Sequence, residues 1–228
     1  DISVANLSLL NTPWYIRQLR DKEGIEFNLT EKQIDEIRPT LVVNRNNIEA
    51  VKHYYSEEDI DIIAERKISV KDPLSDRAIE IFLKEKDFLQ IKDLAVLRII
   101  QDNFGKRPIY FAVTIPDSEI SYYKKYLSNE GMVDRMVSTA MESQLNLETL
   151  TRNLNEVYSY RSIFDDSVYK DSNVRRLISN YAAAYLRVSN YYYNAGDIQN
   201  AINYMEKTID FDEQKDRYYI GISQLYEQ

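Results

Sequence analysis

Apolar positions along the chain change period several times, and each change predicts an element. Ile2, Val4, Leu7 and Leu9 sit in a β-forming run that predicts a strand over residues 1–10. Asn11-Thr12-Pro13 follows, with capping side chains and a proline suited to a first helical position. A helix carrying Trp14, Ile16 and Leu19 is therefore expected, fading by Gly24 into a short extended piece over 25–29. Thr30 and Gln33 have capping-box spacing, which predicts a short helix through Ile34 and Ile37 that stops before Pro39.

Residues 40–75 are read as a strand at Leu41-Val42-Val43 and helices over 48–55 and 57–65. Ile79–Leu83 and Phe88–Ile91 both alternate around a polar stretch at 84–87, the pattern of a hairpin with one buried face. Asp93 is read as the cap of a helix carrying Leu94, Leu97 and Ile100 and closed by Gly105. The continuous apolar run Ile109–Ile115 predicts a buried central strand. From Ser118 onward the pattern reads as helical, with a short helix through Tyr122, Tyr126 and Val133 broken at Gly131, and another over 147–158. The expected fold class is α+β / α/β: an N-terminal α/β layer domain with a small mixed sheet over 1–145, then an all-α tail over 146–228.

Within that tail, residues 182–213 resemble one tetratricopeptide repeat. Aligned on a turn at Gly196, Tyr185 and Val188 lie on the first helix, with Ser189 at the small-residue crossing and Tyr192 facing the partner helix. On the second helix Ala201 is the small residue, and Ile198, Met205 and Ile209 continue the stripe. Thr208 replaces the repeat's usual alanine, and Glu213 stands where proline often closes it. One period of about 34 residues further on, Tyr219, Ile222, Ser223 and Tyr226 fall under Tyr185, Val188, Ser189 and Tyr192, the start of a second repeat. Tyr191, Tyr193 and Tyr204 are candidates to line a groove for an extended peptide or a glycan ring, or else to pack between helices.

Composition narrows the chemistry. The 228 residues include 19 tyrosines but no cysteine, which removes disulfides and thiolate sites. A net charge of −8 argues against nucleic acid as a partner. Opening at Asp1 without a methionine, the chain is expected to be a soluble fragment of a larger protein, since no apolar run reaches membrane-spanning length. His53 is the only histidine and is read as a surface residue, so histidine triads and two-histidine zinc motifs are excluded. Glu57-Glu58-Asp59 and Asp165-Asp166 lack calcium-loop spacing and read as solvated faces and helix starts. Glycine-rich phosphate loops and a nucleophile elbow are missing, so no small-molecule cofactor and no metal is expected. Trp14, with Tyr15 and Arg17, offers an aromatic and cationic contact patch, or packs on a sheet.

Four segments carry a family resemblance: Asn6–Ile16 (NLSLLNTPWYI), Arg107–Val113 (RPIYFAV), Leu127–Val137 (LSNEGMVDRMV) and the stretch from Asn180 to Ala201. Together they resemble the extracytoplasmic C-terminal region of multi-pass, protein O-mannosyltransferase-like membrane proteins common in Bacteroidetes. Two positions depart from that pattern, Ser138 in place of a proline and Asp134 in place of an aromatic. The resemblance implies that transferase chemistry lies in a membrane-embedded half outside this sequence and that no catalytic residue falls on this chain. It further implies a periplasmic accessory role, holding an acceptor polypeptide or scaffolding its own membrane-embedded half. A free-standing tetratricopeptide-type adaptor binding a partner protein is the alternative, and a soluble enzyme with its site at the ends of the strands near Leu10 and Ile115 is a third reading.

Overall fold

The computed structural model describes residues 2–38, 42–43, 46–47, 49, 57–72, 77–83, 89–139, 145–212 and 215–226. The expected helix over 48–55 apart from Glu49, together with His53 and the polar stretch at 84–87, lies outside them. The chain divides into two compact units: Asp1–Ile109 with Ser121–Tyr126 and Ser138–Ala140, and Tyr110–Ile120 with Leu127–Val137 and Met141–Gln228.

The first unit opens without the expected strand. Leu7–Asn11 forms a 3-10 turn in which Asn6 Oδ1 accepts from the Ser8 amide. Tyr15 takes the groups a strand partner would need: its hydroxyl accepts from the Asn6 amide at 2.7 Å and donates to the Val4 carbonyl at 3.2 Å. Ile2 and Val4 are exposed, so their alternation marks no buried face. Helix α1, Pro13–Asp21, starts at its proline and buries Tyr15, Ile16 and Leu19. Helix α2, Glu31–Glu36, has both halves of the Thr30/Gln33 capping box.

Strand β1, Val42–Val43, is followed by α3, Glu57–Glu65, and then by β2, Lys67–Lys71, β3, Ala78–Phe82, and β4, Leu89–Gln90. The expected hairpin between 79–83 and 88–91 does not form. Strand β3 pairs antiparallel with β2, and β4 pairs with β1. The reason is apolar register: Ile68 opposes Ile81 and Val70 opposes Ile79, bringing four buried β-branched side chains onto one face. Helix α4, Ile91–Asn103, begins earlier than Asp93. Asp93 instead sits in the first turn, where its carboxylate accepts from the Gln90 amide at 2.8 Å, and Asn11 Oδ1 accepts from the Lys92 amide. Gly105, at φ 78°, closes the helix as expected.

The second unit contains strands β5, Tyr110–Ala112, β6, Leu127–Asn129, and β7, Val133–Met136, in the antiparallel order β5-β7-β6, with the four-residue helix α5, Asp117–Ile120, between β5 and β6; the sequence pattern revealed a strand at β5 but not at β6 or β7. Strand β5 is therefore not the expected buried central strand over 109–115. It is three residues long and lies at an edge, with Phe111 alone buried. Residues 127–136 are a hairpin rather than a helix, because the Glu130 amide bonds the Val133 carbonyl at 2.9 Å and Gly131 supplies φ 115°. Ser128, Asn129 and Glu130 are all buried polar residues, so the β6 end gives no apolar alternation to read.

From Leu147 the unit is helical: α6, Leu147–Arg152, a π turn at Asn153–Val157, α7, Ser172–Asn194, α8, Ile198–Thr208, and α9, Lys215–Tyr226. Side-chain caps start three of them, from Asn146, Asp171 and Asp197. Gly196, at φ 78°, turns α7 into α8. The chain is thus a mixed α+β fold with an all-helical C-terminal region. Among the described strands every pairing is antiparallel, with one isolated parallel bridge between Asn129 and Leu145.

Candidate binding surface

Two tyrosines of the second unit, Tyr160 and Tyr185, meet at one carbonyl. In the π turn the Tyr158 amide bonds back five residues to the Asn153 carbonyl at 2.9 Å. The Leu154 carbonyl accepts from the hydroxyls of Tyr160, at 2.7 Å, and Tyr185, at 3.0 Å. The two hydroxyls lie 3.2 Å apart. Both rings can therefore be buried without an orphaned polar group.

Around this anchor the rings form a continuous aromatic ladder. Tyr185 stacks on Phe211 at 5.4 Å and leans toward Tyr204 at 6.3 Å. Tyr204 stacks on Tyr192 at 5.6 Å, and Tyr192 meets Tyr191 edge-on at 5.8 Å. Tyr160, Tyr181 and Phe164 close around Phe211, and Tyr158 meets Tyr181 edge-on. Such pairs contribute about 0.5–1.5 kcal/mol each beyond burial. Asn155 ties the ladder to the π turn: its amide donates to the Tyr204 hydroxyl at 3.1 Å and its carbonyl accepts from Lys207 Nζ at 2.9 Å. The Lys207 ammonium lies over the Tyr204 ring, 5.0 Å from its centre.

Burial pushes the hydroxyls of Tyr160, Tyr185, Tyr158 and Tyr192 above the ordinary tyrosine range, because a phenolate loses more from desolvation than a phenol. The ring faces and edges are bordered there by the Asn155 amide and the Lys207 ammonium.

The residues singled out from sequence fall in different surroundings. Tyr204 lies inside the ladder. Tyr191 and Tyr193 are 40% and 42% exposed, and two residues apart on α7 they point to nearly opposite sides of the helix. Trp14, in the first unit, is 56% exposed and meets Tyr15 edge-on at 5.5 Å. The sequence pattern did not single out Tyr158, Tyr160, Phe211, Asn155 or Lys207. Of these, only the density of aromatic residues over 158–164 signalled anything in advance. No group of histidine, aspartate and glutamate residues suited to a metal occurs among the described residues.

A second node lies at the β6-β7 turn. The Tyr158 hydroxyl accepts from the Met132 amide at 3.0 Å, and Asn153 donates to the Glu130 carbonyl at 2.7 Å. Asn129 bonds Asp134 at 2.6 Å, and the Glu130 carboxylate faces Asn146 and Arg135. The segment LSNEGMVDRMV is thereby a hydrogen-bonded hairpin braced by the turn after α6.

Fold and surface together define a mixed α+β chain whose helical region carries an aromatic-lined helix pair. Residues 58–156, just over two-fifths of the chain, match the family described as TMEM260-associated domain 2. No curated protein and no solved structure matches the chain. No helix among the described residues is long and apolar enough to cross a membrane.

Proposed function

We propose that this chain is a non-catalytic, periplasmic acceptor-binding or scaffolding portion of a membrane-bound protein glycosyltransferase. The observation that carries the reading is an overlap. The match to a TMEM260-associated domain over residues 58–156 contains two of the four segments, Arg107–Val113 and Leu127–Val137, that resemble protein O-mannosyltransferase-like membrane proteins. The aromatic ladder supports a contact role, since ring faces beside amide groups suit extended polypeptide and sugar rings alike. The test begins with the full reading frame containing Asp1. Several membrane-spanning segments upstream support the reading, and a frame with none overturns it. In that full-length protein, Tyr191→Ala with Tyr193→Ala should raise the acceptor KM severalfold with kcat within twofold.

The helix pair favours a second reading, a tetratricopeptide-like adaptor for a partner protein. Its specific support is the close α7-α8 crossing, where the fully buried Ser189 donates to the Ala201 carbonyl at 2.7 Å. Tight capture of a peptide by a full-length protein without membrane spans distinguishes it.

A further inference from the structure

We infer that the loop between the π turn and α7, together with the first turns of α7, lies against a lipid bilayer surface that carries anionic headgroups. The stretch lies inside the second unit, with described residues on both flanks, yet it holds a run of large apolar side chains in solvent. Tyr169 is 86% and Leu177 51% exposed, and Phe164, Val168 and Val174 are exposed beside them. The loop's polar groups turn inward instead. The Asp165 carboxylate accepts from the Ser167 amide at 2.9 Å and from its hydroxyl at 2.6 Å. Lys170 Nζ donates to the Asp165 and Val168 carbonyls, and Arg175 Nε donates to the Lys170 carbonyl at 2.9 Å, which ties the loop to the first turn of α7. The backbone around Val168 and Tyr169 is thereby fixed while their side chains stand out.

Shape and charge together define the occupant. Residues 172–177 are all exposed, so the start of α7 is a convex projection and not a groove. A protein partner would need a socket cut to that projection, whereas a bilayer interface takes up projecting side chains without one. A tyrosine at headgroup depth, with arginines reaching toward phosphates, is the combination such an interface favours. Residues 157–177 carry four cations and three carboxylates, in a chain whose net charge is −8. Asp165 and Asp171 are held by backbone amides of the loop and of α7, which leaves Asp166 as the free carboxylate. Among the described residues the exposed guanidiniums of Arg161 and Arg176 meet no carboxylate. Unpaired cations beside apolar tips complement phosphate-bearing headgroups. The inference rests on these residues alone and holds whether or not the chain serves a glycosyltransferase.

The test is cosedimentation of the whole chain with phosphatidylcholine vesicles prepared with and without phosphatidylglycerol. The expected result is saturable binding to the anionic vesicles that added salt reduces. Val168→Ser with Tyr169→Ser should weaken it at least tenfold, and Arg161→Gln with Arg176→Gln at least fivefold. Both pairs change exposed side chains only, and an unchanged Tm checks that each variant is folded. Because the chain as a whole is anionic, its overall charge opposes this binding and cannot produce it. Binding that neither pair weakens would place the lipid elsewhere and overturn the proposal, as would equal binding to neutral vesicles. Absence of vesicle binding also overturns it, and a dimer abolished by Val168→Ser with Tyr169→Ser would then assign the patch to a second copy of the chain.

Discussion

The Ser189 hydroxyl on α7 donates to the Ala201 carbonyl on α8 at 2.7 Å, with both residues completely buried. The bond fixes the point of closest approach between the two helices, and only small side chains fit there. Ser189→Ala should cost about 1 kcal/mol, the worth of one buried hydrogen bond. Ala201→Leu should cost more, about 1–3 kcal/mol, by forcing the helices apart. Urea unfolding measures both. A leucine variant as stable as the parent would mean that α7 and α8 do not pack as described.

Gly131 and Tyr158 form a second pair whose coupling is measurable. A side chain at Gly131 would begin 2.5 Å from the Tyr158 hydroxyl, at φ 115°. Gly131→Ala should destabilise by about 3 kcal/mol, from backbone strain together with the clash. Tyr158→Phe removes the oxygen that is struck, so the double variant should lose less than the sum of the singles. Additivity within about 0.3 kcal/mol would show that the ring does not meet the turn.

The tyrosine ladder predicts alkaline sensitivity. Burial raises the folded-state pKa of Tyr160, Tyr185 and Tyr158 above the unfolded value of 10.0. A raised pKa means that the folded state holds its proton more tightly. The associated stability is therefore complete below about pH 10 and is lost as pH rises toward the folded-state values. Thermal unfolding should show a flat Tm up to about pH 9 and a steep fall above pH 10. The hydroxyls of Tyr158, Tyr160 and Tyr185 should ionise only as the protein unfolds, read as tyrosinate absorbance that rises together with the loss of structure. Complete ionisation with no loss of structure would contradict the hydrogen bonds to Leu154.

Trp14 is the chain's only tryptophan and so an intrinsic reporter for its own surroundings. Its exposure predicts red-shifted emission and ready quenching by acrylamide. If the Trp14 surface takes part in acceptor binding, saturation with acceptor peptide should blue-shift the emission and protect it from quencher. An unchanged spectrum at saturation would remove Trp14 from the binding surface.

Local signals made much of the helical framework legible. Pro13, the Thr30/Gln33 box, Gly105 and Gly196 each act within a few residues, and the corresponding helix starts and ends lie at or near the expected positions. The region around Ser189 and Ala201 was legible for the same reason, since small residues at helical spacing mark a close crossing. Strands fared differently. Ile79–Leu83 alternates as expected, yet nothing in those residues states that the partner is Lys67–Lys71 rather than the next alternating run. Leu127–Met136 forms a hairpin from buried polar residues held by Asn146, Asn153 and Tyr158, partners that lie up to 26 residues away.

By itself, then, the sequence determined the mixed fold class, the helix boundaries set by caps and glycines, and the lack of any cysteine or of a second histidine. Only the tertiary structure decided which strands pair and which of the 19 tyrosines meet. The physical reason is that burying a phenol requires a partner for its hydroxyl. For Tyr160 and Tyr185 that partner is the Leu154 carbonyl in a π turn, a group whose availability is a property of the folded backbone and of no residue pattern.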